Sequence, residues 1–226
     1  MSSQVTQSKV KAFAVNNTML FFAVILFAAC MIGVPRFATG GNLMNILIQV
    51  SINALIACGM TFVILSDGID LSVGSVAAIA GVAGASLIKQ MPDAGIAACI
   101  AVILVTAVVV GTICGSINGF CIAKLNVPPF IATLAMMNAA RGLAYVFTDA
   151  KPVFGLPDSF GWVGLRSIGV IPVSIVLMVI VIGLSYLVLS KTCFGRYIYA
   201  VGSNKEVAKL TGINVTMTRF SVYVIS

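Results

Sequence analysis

GIAACIAVILVTAVVVGTICGSINGFCIA, Gly95 to Ala123, runs for 29 residues without a charged side chain. A helix rises about 1.5 Å per residue, so about 20 apolar residues cross a hydrocarbon layer of about 30 Å. This stretch is therefore read as a membrane span. Working outward from it, Thr18 to Val34, Ile46 to Leu65, Ser72 to Ile88, Pro129 to Thr148 and Ile168 to Ser190 qualify or nearly qualify by the same measure. A further span begins near Met217, and the final residues, FSVYVIS, stay apolar, so the chain is expected to stop inside that span. The fold class that follows is all-α: a single domain over residues 1–226, a polytopic transmembrane helix bundle with about six complete spans and the start of a seventh.

Composition narrows the function. Hydrophobic residues make up 60% of the chain and charged residues 8%, against about 25% charged in an ordinary soluble domain. The formal charge is +7, yet the basic residues are scattered between apolar runs. Membrane lipid, and no nucleic acid, is therefore the expected partner. The absence of His removes imidazole metal sites, Ser-His-Asp triads and Cys-His nucleophiles. No catalytic residue, metal or cofactor is expected, and the chain is read as a non-enzyme. Cys30, Cys58, Cys99, Cys114 and Cys121 lie in apolar stretches with no CxxC spacing and are read as small packing residues. Lys9 and Lys11 precede the first apolar run, as in a signal peptide, but that run is long for one and no A-x-A site follows. An uncleaved span is the better reading.

Positively charged flanks tend to stay cytoplasmic. With the amino end inside, one side collects Lys9, Lys11, Lys124, Lys191, Arg196, Lys205 and Lys209, and the other Arg36, Lys89, Lys151 and Arg166. A cytoplasmic amino terminus is expected.

In lipid, helices associate through close backbone approach. Gly111, Gly115 and Gly119 form GxxxGxxxG on one face of the Gly95–Ala123 span, and Gly74 and Gly81 repeat the idea one span earlier. These five are read as packing residues. Polar side chains within spans are costly unless partnered, and so mark candidate transport paths. They are Gln49 and Asn53, four residues apart; Asn118; and Thr133, Asn138, Arg141 and Tyr145 in the Pro129–Thr148 span. Interhelical hydrogen bonding without substrate is the alternative for each. SDGIDLSVGS, Ser66 to Ser75, places Asp67, Asp70 and Ser72 in a short link with no basic neighbour. Asp67 is expected to open an Asx turn with Gly68 at positive φ, and Asp70 to cap the next helix; a gate or a contact with the partner is the other reading.

Ser190 to Val215, SKTCFGRYIYAVGSNKEVAKLTGINV, is the longest polar stretch on the expected inner side. Ser203 and Glu206 have capping-box spacing and Gly212 is placed to end a helix, so a short helix is expected over about 204–211. Val207, Leu210 and Thr211 share one face of it. That face either docks into a cytoplasmic partner or lies on headgroups.

GMTFVILSDGIDLSVGSVAAIAG (Gly59 to Gly81), PPFIATLAMMNAARGLAYVFT (Pro128 to Thr148) and GRYIYAVGSNKEVAKLTGINV (Gly195 to Val215) resemble the inner-membrane permeases of bacterial monosaccharide ABC importers, most closely the ribose-transporting members. The resemblance covers nearly the whole chain. It implies a multi-pass protein of the bacterial inner (plasma) membrane that forms a homodimer and receives sugar from a periplasmic binding protein. It also implies contact with cytoplasmic ATPase subunits through a coupling loop, 191–215 here, with Gly195, Arg196, Ser203, Asn204, Glu206, Val207, Leu210 and Gly212 as the coupling candidates. The lack of a GxxxxGK[ST] phosphate loop agrees that ATP is bound elsewhere. The alternatives are an ion-coupled secondary transporter, which needs an acid or a broken helix deep in a span, or a truncated, non-transporting fragment.

Overall fold

The computed structural model describes residues 17–165, 167–168 and 171–226. Lys9, Lys11 and Arg166, used above for orientation, lie outside the described residues. The chain runs through helices α1 (Thr18–Gly33), α2 (Gly40–Leu65), α3 (Val73–Lys89), α4 (Ile96–Ala123), α5 (Pro129–Thr148), α6 (Asp158–Leu165), α7 (Val173–Lys191), α8 (Cys193–Ser203), α9 (Lys205–Leu210) and α10 (Val215–Ile225). Ser167–Ile168 and Ile171–Pro172 make one short antiparallel pairing between α6 and α7. The fold is an all-α polytopic membrane bundle. Among the described residues, α2, α4, α5 and α7 are long and apolar enough to cross a membrane, while α1, α3 and α10 are shorter apolar helices.

Most expected span limits hold to within a residue or two, apart from the starts of α2 and α7. The segment read as opening at Ile46 begins at Gly40. The segment expected from Ile168 begins as helix at Val173: Ile168 pairs with Ile171, and Pro172 stands as the N-cap. Helices α6 and α8 were not expected.

The chain forms two compact units, residues 1–49 and 50–226. In the first, α1 has no buried residue, and Met19, Phe22, Ile25 and Ile32 are exposed on all sides of it. A helix apolar all round is suited to lipid rather than water. Phe27 and Phe37 meet edge to face with centroids 5.3 Å apart, and the Asn42 side-chain amide donates to the Phe37 carbonyl at 2.8 Å.

In the second unit the usual sorting of side chains is reversed. Leu104, Val108 and Ile113 of α4 and Leu177, Val179 and Ile180 of α7 point outward, whereas Ser51, Ser66, Asp70, Ser72, Ser75, Asn118 and Thr133 are buried. Lipid accepts the apolar surface, and small or polar side chains turn inward, where neighbours satisfy all of these but Ser75, whose buried hydroxyl meets no partner among the described residues. The apolar core is small: Phe62, Val63, Ile122, Ile198, Val222 and Tyr223. It draws on the last residues of α2 and α4 together with α8 and α10, so packing is concentrated at one end of the bundle.

The glycine motif divides. A Cβ on Gly115 would collide with the Tyr223 carbonyl and lie 2.9 Å from Val224 Cα, and one on Gly119 would lie 2.9 Å from the Phe220 carbonyl. Both are contacts with α10, which passes α4 antiparallel. Gly74, Gly81 and Gly111 have nothing within 4 Å, so the expected packing role is not found for them within this chain. Gly84 instead makes such an approach, 2.9 Å from Thr106 Oγ1 to its notional Cβ.

Candidate functional site

The α2–α3 link and the α8–α9 elbow, far apart in sequence, meet at the densely packed end. Helix α2 ends in a Schellman turn: the Gly68 N–H donates to the Val63 carbonyl at 3.0 Å and the Asp67 N–H to the Ile64 carbonyl at 3.1 Å. The left-handed residue is Asp67, at φ 59°, and not Gly68 as expected. Aspartate tolerates that conformation because its short polar side chain adds little steric cost. Gly68 is small for another reason: a Cβ there would stand 2.5 Å from Tyr223 Oη and 3.0 Å from Val63 Cγ1.

Beyond Asp67 the backbone stays non-helical to Ser72, with Asp70 and Ser72 turned inward and Ile69 and Leu71 exposed. Asp70 is 5% exposed. Its Oδ1 accepts the Ser72 N–H at 2.8 Å and the Ser72 hydroxyl at 2.6 Å, and its Oδ2 accepts the Ser226 hydroxyl at 2.9 Å. The Ser72 oxygen in turn accepts from the Asn118 amide at 3.0 Å. A buried carboxyl group is costly unless its oxygens are satisfied, and three donors do that here. Asp70 does not cap the first turn of α3 as expected; it binds the N–H of the N-cap residue itself and ties α3 to α4 and α10. Thr133, also buried, donates to the Pro129 carbonyl at 2.8 Å, with the Ile69 carbonyl 3.5 Å away. A cavity of about 270 Å3 adjoins the cluster, walled by Leu55, Val76, Ala80 and Gly111 and made polar at one side by Asp70, Ser72 and Asn118.

The remaining path candidates do not converge there. Asn53, Asn138, Arg141 and Tyr145 are exposed on the outer surface of the chain, and Gln49, exposed too, belongs to the first unit. The Asn138 amide turns back to the Leu134 carbonyl at 3.0 Å.

The elbow is built from local signals. Thr192 Oγ1 accepts the Gly195 N–H at 3.2 Å and starts α8. Gly195, Ile198 and Val201 form its buried face. Gly195, expected as a coupling contact, is buried, and a Cβ on it would overlap the backbone of Leu189 at the tight corner after α7. Arg196 is exposed. Ser203 is the last residue of α8, and the cap of α9 is Asn204, whose Oδ1 accepts the N–H groups of Glu206 at 3.0 Å and Val207 at 3.1 Å. The capping-box reading thus moves by one residue, because Ser203 is still helical. Gly212, at φ 84°, ends α9 as expected in a second Schellman turn, with Ile213 N–H to Ala208 carbonyl and Gly212 N–H to Lys209 carbonyl both at 3.1 Å. Only Ala208 of α9 is buried. Val207 is 55% and Leu210 86% exposed, so the apolar face points away from the bundle.

Two contacts seat this elbow on the end of α2. A Cβ on Gly202 would overlap the Leu65 carbonyl, and Lys205 Nζ donates to Asp67 Oδ2 at 2.8 Å. Neither was legible in sequence. Lysine in the first turn of a helix was the available hint, since a cation is disfavoured at the positive end of the dipole unless something pairs with it.

An irregular link between apolar helices that carries a buried acid, with a structured polar elbow against it, defines a multi-pass membrane protein of the permease type. The chain belongs to the family described as the branched-chain amino acid transport system / permease component, whose model matches residues 42–226. It is 38% identical to the ribose import permease protein of Haemophilus influenzae, over 100% of this chain and 69% of that protein. It is 41% identical to the ribose import permease protein of Escherichia coli K12, over 94% of this chain and 66% of that one. The L-arabinose transport system permease protein of the same strain is 39% identical, over 92% and 62%. The chain spans about two thirds of the length of these relatives. No solved structure matches it.

Proposed function

We propose that this chain is the membrane-spanning permease of an ATP-driven importer that brings a monosaccharide, ribose or a related pentose or hexose, across the bacterial inner membrane. Two copies would form the path, a periplasmic binding protein would deliver the sugar, and cytoplasmic ATPase subunits would supply the energy through the elbow, with the amino terminus cytoplasmic. The carrying observation is the elbow itself. A two-turn helix is marginal alone, yet α9 is capped at both ends and anchored by Ala208 while Val207 and Leu210 stay exposed. That is the form of a docking knob held ready for a cleft in a partner. Motion of α9 would reorient the helices around Asn118 and Thr133, and binding-protein selectivity would leave the path needing only weak polar contacts. In the full-length protein co-expressed with its ATPase subunits, Leu210→Asp places a charge on that knob. It should abolish most co-purification; unchanged co-purification removes the coupling claim.

Asp70, a buried acid beside a helix break, favours ion-coupled secondary transport. Sugar uptake by proteoliposomes holding only the permease, with an ion gradient and no ATP, would decide for that alternative.

A further inference from the structure

We infer that Asp67 and Lys205 form a strut that carries displacement of the α8–α9 elbow into the break between α2 and α3, setting the position of the buried Asp70 and Asn118 during transport. The inference rests on the reading of the chain as a permease driven through its elbow, and assigns the residues through which the drive passes.

The two side chains are 138 positions apart in sequence and 2.8 Å apart in space. Asp67 is one of 6 acids in the chain, and its backbone is pinned in the left-handed turn that closes α2. Three residues further on, Asp70 gathers Ser72 and Ser226, and Ser72 holds Asn118 of α4. The stretch between the two acids is non-helical and short, so a push on Asp67 reaches Asp70 along a few covalent links.

The pair contributes little as a fold stabiliser. Its side chains are 37% and 67% exposed, and such pairs are weak and screened by salt. Lys205 is also poorly placed for its own helix, in the first turn where an acid is preferred. A residue locally unfavourable and globally weak is accounted for by geometry: it ties the elbow to the break at a second point beside the Gly202–Leu65 backbone contact. Ile198 of α8 already shares a core with Phe62 and Val63 of α2, and the pair adds a polar tie at the start of α9 to that packing. Asp67 and Lys205 are therefore positioning residues, acting through Asp70 and Asn118.

The test uses the full-length permease reconstituted in proteoliposomes with its ATPase subunits and binding protein, and reads sugar moved per ATP hydrolysed. Asp67→Lys, Lys205→Asp and Lys205→Met should each lower this ratio by about two- to fivefold, and the exchanged pair Asp67→Lys with Lys205→Asp should restore most of it. ATPase subunits should co-purify with every variant. A variant that merely folds poorly loses uptake and bound ATPase together, so the ratio separates a strut from a scaffold. Lys205→Met leaves the left-handed Asp67 untouched and keeps the test decisive if Asp67→Lys does not fold. A native ratio in Lys205→Met, or an exchanged pair no better than the weaker single variant, overturns the strut while leaving the permease reading intact. A native assembly that takes up no sugar with ATP overturns the permease reading, and the strut with it.

Discussion

Gly111 and Gly115 occupy consecutive positions of one GxxxG motif, and exchanging each for Ala should have opposite consequences. The propensity gain is common to both, about 1 kcal/mol on water-based scales. At Gly115 the new methyl group meets the Tyr223 carbonyl and stands 2.9 Å from Val224 Cα, whereas ordinary contact lies at 3.4–4 Å. The obstacle is backbone, which cannot rotate aside, so α10 must retreat from α4 by about half an ångström or more. Overpacking of this kind costs about 1–3 kcal/mol. At Gly111 nothing lies within 4 Å and no such cost arises. The difference between the two variants thus isolates the steric cost, and Gly115→Ala should be the less stable by about 1–3 kcal/mol. Thermal denaturation of monodisperse protein in detergent, followed by tryptophan-independent probes such as cysteine accessibility, would read it. Equal stability, or a less stable Gly111→Ala, would refute the packing of α10 against α4.

Asp70→Leu strands the Ser72 N–H in a buried site, at about 1–3 kcal/mol per orphaned donor; Asp70→Asn keeps an acceptor and should be milder, and denaturation that ranks them otherwise contradicts the cluster. Asn204→Ala should weaken α9 by about 1 kcal/mol and speed hydrogen exchange at Glu206 and Val207, while Ser203→Ala changes neither. Gly212→Ala forces a side chain into left-handed backbone and should destabilise the end of α9 by about 1 kcal/mol, visible as faster exchange at Ile213. Membrane-impermeant amine labels applied to intact cells should miss Lys205 and Lys209; labelling of either would place the elbow on the outer face and end the proposed coupling.

A feature is legible in sequence when the forces that set it act over a few neighbouring residues. Spans were legible because crossing hydrocarbon is a matter of uninterrupted length, and α4, α5 and the end of α2 fall where the composition puts them. Gly212 was legible because a helix stop is settled within a few residues. The cap of α9 was missed by one position, Asn204 for Ser203, since a capping box cannot show whether the preceding residue is already helical. The polar stripe Asn138, Arg141 and Tyr145 was visible as a stripe, but periodicity says only that residues share a face. It does not say what the face meets, and here that face is exposed.

By itself the chain's order of residues determined an all-α membrane bundle, the positions of its apolar helices, and a capped helix near residue 207, because hydrocarbon length and hydrogen bonds between near neighbours are local quantities. Only the tertiary structure decided that Asp67 meets Lys205, that Asp70 is enclosed with Ser72, Asn118 and Ser226, and that Gly115 and Gly119, but not Gly111, touch α10. Apart from Asp70 with Ser72, those contacts join residues tens to more than a hundred positions apart, and which helix lies beside which is fixed by mutual packing that no single segment encodes.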